Sequence, residues 1–140
     1  MSVPVIVYVL TALAAVVVVL TRVRMRSGQG AGRFHVGQTL LNVHTVSGVL
    51  ALVVWTVFLV APEKSPAGSS SVGIIGLGLF WIVTFAGLLI LVRWLPSHGK
   101  HASEGVQDTW SEGPGLSVLA HVGMLVGVVV FTFAYLTNAV

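Results

Sequence analysis

Cysteine is absent from this chain and charge is scarce: among 140 residues there are seven Lys or Arg and four Asp or Glu. Without cysteine there are no disulfides, iron–sulfur clusters or thiolate metal sites, and no redox compartment to read. At 8% charged and 56% hydrophobic residues, the composition is far from a soluble domain, where about a quarter of residues carry charge. No HExxH, GxSxG or phosphate loop is present, nor a Ser–His–Asp set, so the expectation is a protein without catalysis of its own or a soluble substrate. Away from their ends, the long apolar runs contain no Asp, Glu, Lys or Arg. Proton- and cation-coupled transporters normally need a carboxylate at that depth. Small four-span multidrug exporters of about this length carry a glutamate in the first span, where this chain offers only Tyr8 and Thr11.

What is there is apolar length. Four runs, about 3–23, 34–60, 72–95 and 116–136, each exceed the roughly 20 residues that a helix needs to cross a bilayer core. The expected fold is therefore all-α and integral to the membrane. It is a single domain over 1–140, a four-transmembrane-helix bundle joined by short loops. The sequence pI of about 10.0 reports topology rather than nucleic-acid binding. Arg22, Arg24, Arg26, Arg33, Arg93 and Lys100 fall on one side and only Lys64 on the other. By the positive-inside bias, loops 24–33 and 96–115 are cytoplasmic and both termini are outside. No basic stretch precedes the first run, so it reads as an uncleaved span, and the expected location is a bacterial plasma membrane.

The second run, FHVGQTLLNVHTVSGVLALVVWTVFLV, carries His44 within its apolar part. The fourth run carries His121 at a similar depth, roughly 6–8 Å below the boundary at ~1.5 Å per residue. These two spans run in the same direction. At about 100° per residue, Gly37, Ser47, Gly48, Ala51 and Trp55 share the His44 face, while Ser117, Met124, Leu125, Val128 and Thr132 share that of His121. Two neutral imidazoles at matched depth on different helices are what bis-histidine b-haem ligation requires. The competing expectation is structural: a buried histidine hydrogen-bonds across helices and holds them together. The latter makes no cofactor the leading expectation, with haem b the alternative.

A weaker metal candidate is His98, His101 and Glu104 in HGKHASE, where two imidazoles three residues apart share one side of a helical turn. Gly99 and Pro96 disfavour a helix there. Small residues that let helix backbones approach are Gly48 and Ala51 in span two and Gly123-x-x-x-Gly127 in span four.

With its Val-, Ala-, Gly- and Arg-rich texture, as in VVVVLTRVRMRSGQGAGR, the chain resembles small multi-span accessory subunits of actinobacterial respiratory complexes of the cytochrome bcc–aa3 type. The resemblance is one of layout and composition. It implies an accessory subunit embedded in lipid against other membrane subunits, and carries no functional residue over. The alternative, a b-haem electron-transfer subunit, is similar to cytochrome b561-like proteins and succinate dehydrogenase anchors. This chain departs from the b561 layout in having one well-placed histidine pair.

Overall fold

The computed structural model describes residues 2–26, 38–101 and 114–140, with side chains for 2–20, 39–92 and 118–140. It contains four long helices: α1 (Val3–Arg26), α2 (Gln38–Val60), α3 (Ser70–His101) and α4 (Pro114–Leu136). All four are long and apolar enough to cross a membrane, and there is no strand among the described residues. Helix is the outcome that lipid dictates, because each backbone N–H and C=O must find its partner within the segment. Pro114 opens α4 and Pro4 lies in the first turn of α1, where a missing N–H leaves no bond unmade. The protein is thus an all-α, multi-pass membrane bundle.

Two helix ends differ from expectation. The third span was expected to end at Leu95, yet α3 continues through Pro96 to His101. Proline removes one bond, but at the membrane boundary the freed carbonyl has water within reach, and each added residue of an existing helix gains a bond. Likewise α1 runs on to Arg26. The expected start of span two, 34–37, lies outside the described residues. Between α2 and α3 the chain turns through a 3-10 segment, Pro66–Gly68, whose Gly68 N–H donates to Ser65 Oγ at 3.1 Å.

α3 packs against both α2 and α4, and α1 touches α2 and α4. Among the described residues, α1 and α3, and α2 and α4, are diagonals whose backbones do not meet. The α2–α3 seam keeps one antiparallel register throughout, and it pairs large with small. A Cβ on Gly73 would meet Phe58 at 2.9 Å, one on Gly76 the Trp55 backbone at 3.3 Å, and one on Gly48 the Val83 Cγ2 at 3.1 Å. The same register sets Ala51 opposite Phe80, both buried. Because lipid is as apolar as leucine, helices here associate through close fit rather than hydrophobic drive. Each glycine is what lets the opposite side chain or backbone come close.

The core lies toward the end that carries the N-terminus and the α2–α3 turn. Val7, Trp55, Phe80, Val128 and Phe131 are fully enclosed there, and Trp55 stacks on Phe131 at 5.2 Å. Two tyrosines pin that end: Tyr8 donates to the Leu59 carbonyl and Tyr135 to the Ser70 carbonyl, both at 2.8 Å. Among the described side chains, full burial on α1 is confined to its first half. Val7, Thr11 and Ala14 are buried, and no described residue of α1 beyond Ala14 is.

Candidate functional site

The two histidines predicted to lie at one depth are brought together. His44 on α2 and His121 on α4 have ring centroids 6.0 Å apart, with planes tilted by 59°. They meet across the diagonal of the bundle, over α3. The residue that makes this meeting feasible is Gly87, which the sequence reading did not single out. A Cβ there would lie 2.7 Å from His121 Cδ2, 2.9 Å from His44 Nε2 and 3.1 Å from His121 Nε2. Gly87 continues the α2–α3 register, standing opposite His44 as Gly76 stands opposite Trp55. That complementarity was the available signal.

The His44 face is the buried face of α2: Ser47, Ala51 and Trp55 are all buried. Ser47 Oγ donates back to the Val43 carbonyl at 2.6 Å, which satisfies a hydroxyl inside an apolar seam. On α4, Val128 is fully buried and Thr132 Oγ1 accepts from Trp81 Nε1 at 3.2 Å.

The geometry tests the haem alternative directly. The point 2.9 and 3.1 Å from the two Nε2 atoms is nearly equidistant from them, so it lies in the plane midway between. An iron held by both imidazoles would set its porphyrin in that plane. The Gly87 Cα stands only about 1.5 Å behind the point, and carbon contacts need about 3.5–4.0 Å. With the rings where they are, the macrocycle would overlap the α3 backbone. A b-haem does not fit between His44 and His121 unless α3 withdraws.

The other predicted residues are placed as follows. His98 and His101 belong to the last turn of α3, but their side chains, and Glu104 entirely, lie outside the described residues. Among the described residues no group of three or more His, Cys, Asp or Glu comes together. Gly48 takes the close approach of Val83, and Ala51 is fully buried. Gly123 is exposed and Gly127 buried, and among the described residues nothing lies within 4 Å of either Cβ position. An open apolar recess lined by Asn42, Val43, Val46, Ser47, Leu50 and Leu79 marks the α2–α3 flank and includes neither histidine.

Comparison of the chain with models of protein families, with curated proteins and with solved structures found no match.

Proposed function

We propose that the chain is an accessory subunit of a larger membrane complex, of the bacterial respiratory electron-transfer kind, contributing surface rather than catalysis. The observation that carries this reading is the exposed second half of the first helix together with an exposed glycine of α4. Burial on α1 stops at Ala14, leaving Val16, Val19 and Leu20 exposed. Gly123 is exposed on α4, and nothing among the described residues lies within 4 Å of its Cβ position. An exposed glycine suits a transmembrane helix of a partner, which gains from close backbone approach.

The test is gentle extraction from the native membrane, followed by identification of what co-purifies. Gly123→Leu, at an exposed position with no neighbour within 4 Å of its Cβ among the described residues, is expected to leave folding intact and to weaken that association. Recovery of the chain alone, or equal association of Gly123→Leu, would sink the proposal. The b-haem alternative is tested on the same preparation. A b-type absorption band, lost in both His44→Ala and His121→Ala, would replace the accessory reading.

A further inference from the structure

We infer that His44 and His121, resting together on Gly87, are a proton-operated latch. Neutral rings hold α2 to α4 in the half of the bundle away from the aromatic core, and protonation releases that half. Ring contacts join these diagonal helices at both levels. Trp55 stacks on Phe131 at 5.2 Å in the aromatic half, a pair with no titratable group, while His44 meets His121 at 6.0 Å in the other. Histidine ordinarily changes charge between about pH 5 and 8, so acid reaches the second contact and leaves the first alone.

The closed geometry suits two neutral rings and opposes charged ones. Both imidazoles press against the α3 backbone: the Gly87 Cβ position is 2.7 Å from His121 Cδ2 and 2.9 Å from His44 Nε2. Among the described side chains, the other titratable or charged groups are Tyr8 on α1, Glu63 and Lys64 in the α2–α3 turn, and Tyr135 on α4. All lie toward the opposite end, and α3 offers none. Protons on both rings set two like charges 6.0 Å apart, where the surroundings screen them less than water does. That repulsion acts even though His121 is also engaged elsewhere. A proton on one ring still places a charge among apolar spans, with water not far off. His44 lies six residues past Gln38 and His121 seven past Pro114, about 9–10 Å at ~1.5 Å per residue. Charged side chains near helix ends turn toward the interface, and a ring that turns leaves Gly87.

Nitroxide pairs on the detergent-solubilised chain test the latch, since no native thiol interferes. The inner pair is at Val43 and Val122, exposed residues next to the two histidines, and the outer pair at Val57 and Phe133, also exposed. Both distances are measured by pulsed electron paramagnetic resonance at about pH 8 and about pH 5. On acidification the inner distance should lengthen by about 2 Å while the outer distance holds. The double variant His44→Gln, His121→Gln keeps polar amides that take no proton, and its inner distance should not depend on pH. Gly87→Ala puts a methyl where the rings rest, and should lengthen the inner distance even while the rings are neutral. Circular dichroism reports whether each variant keeps its helices, and the inner and outer pairs in the chain with both histidines decide even where a variant does not. An inner distance unchanged by pH, an outer distance that changes equally, or a pH response retained in the double variant would each overturn the proposal. The accessory proposal fails separately, through partner association, which neither distance reads.

Discussion

Phe58 on α2 and Gly73 on α3 occupy one site between them: a Cβ on Gly73 would come within 2.9 Å of the Phe58 ring and 2.7 Å of the Tyr135 ring. The glycine is the floor on which rings from two different helices rest, and those rings lie 6.0 Å apart. Gly73→Val should therefore force both aromatics aside and destabilise the bundle by about 1–3 kcal/mol, the usual range for overpacking. Gly78→Val is the control, since nothing lies within 4 Å of that position. Thermal melting in a fixed detergent should separate the two variants. Equal melting temperatures would mean that the α2–α3 seam is not packed as described.

Trp55 is fully buried, and its indole N–H finds no acceptor among the described residues. An unmet buried donor costs about 1–3 kcal/mol, yet the ring also fills the centre of a cluster with Phe58, Phe80 and Phe131. The two effects oppose each other in Trp55→Phe, which loses some volume and removes the orphan donor. That variant should be close to neutral, whereas Trp55→Ala should cost about 3–5 kcal/mol through the cavity it leaves. Unfolding measurements on both variants check the pair. A Trp55→Phe loss as large as that of Trp55→Ala would show that the N–H is satisfied after all.

Tyr8 is exposed along its ring, but its hydroxyl reaches the Leu59 carbonyl near the end of α2, one of the terminal carbonyls that a helix leaves without an internal partner. Interhelical hydrogen bonds in membranes average about 0.6 kcal/mol, so Tyr8→Phe should weaken the protein only slightly in global unfolding. Its larger effect should be local, because α1 has few other attachments. Hydrogen exchange along α1 should rise in Tyr8→Phe while exchange along α3 stays unchanged. Uniform protection in both helices would remove the tyrosine as an anchor.

Much of this architecture is legible from hydropathy alone, because lipid admits almost nothing but helix for runs of that length. The matched depth of His44 and His121 is legible too, from rise per residue and chain direction. Their meeting is not. Apolar residues cover most faces of every span, so periodicity does not say which helices are neighbours. The missing information lies between segments: read in opposite directions, His44, Gly48, Ala51, Trp55 and Phe58 meet Gly87, Val83, Phe80, Gly76 and Gly73, small against large at each step. Gly87 is unremarkable within its own span and acquires meaning only in that pairing. The end of α3 was missed for a different reason, since Pro96 carries a local helix-breaking signal that an established helix overrides at its boundary.

The attachment of α1 yields the last prediction, and the lack of cysteine makes it clean to test. Single cysteines introduced at Ala14 and at Val19 can carry nitroxide labels with no background thiol. Ala14 is buried and Val19 exposed, so in the isolated protein the label at Ala14 should be immobilised and shielded from oxygen. The label at Val19 should move freely and collide with oxygen as a lipid-facing site does. Within the intact complex of the accessory reading, a partner helix seated beside Gly123 would cover the second half of α1, and the Val19 label should then slow and lose oxygen contact while the Ala14 label does not change. A Val19 label equally mobile in both preparations would leave that face turned to lipid, and the partner would have to be sought on the α2–α3 flank.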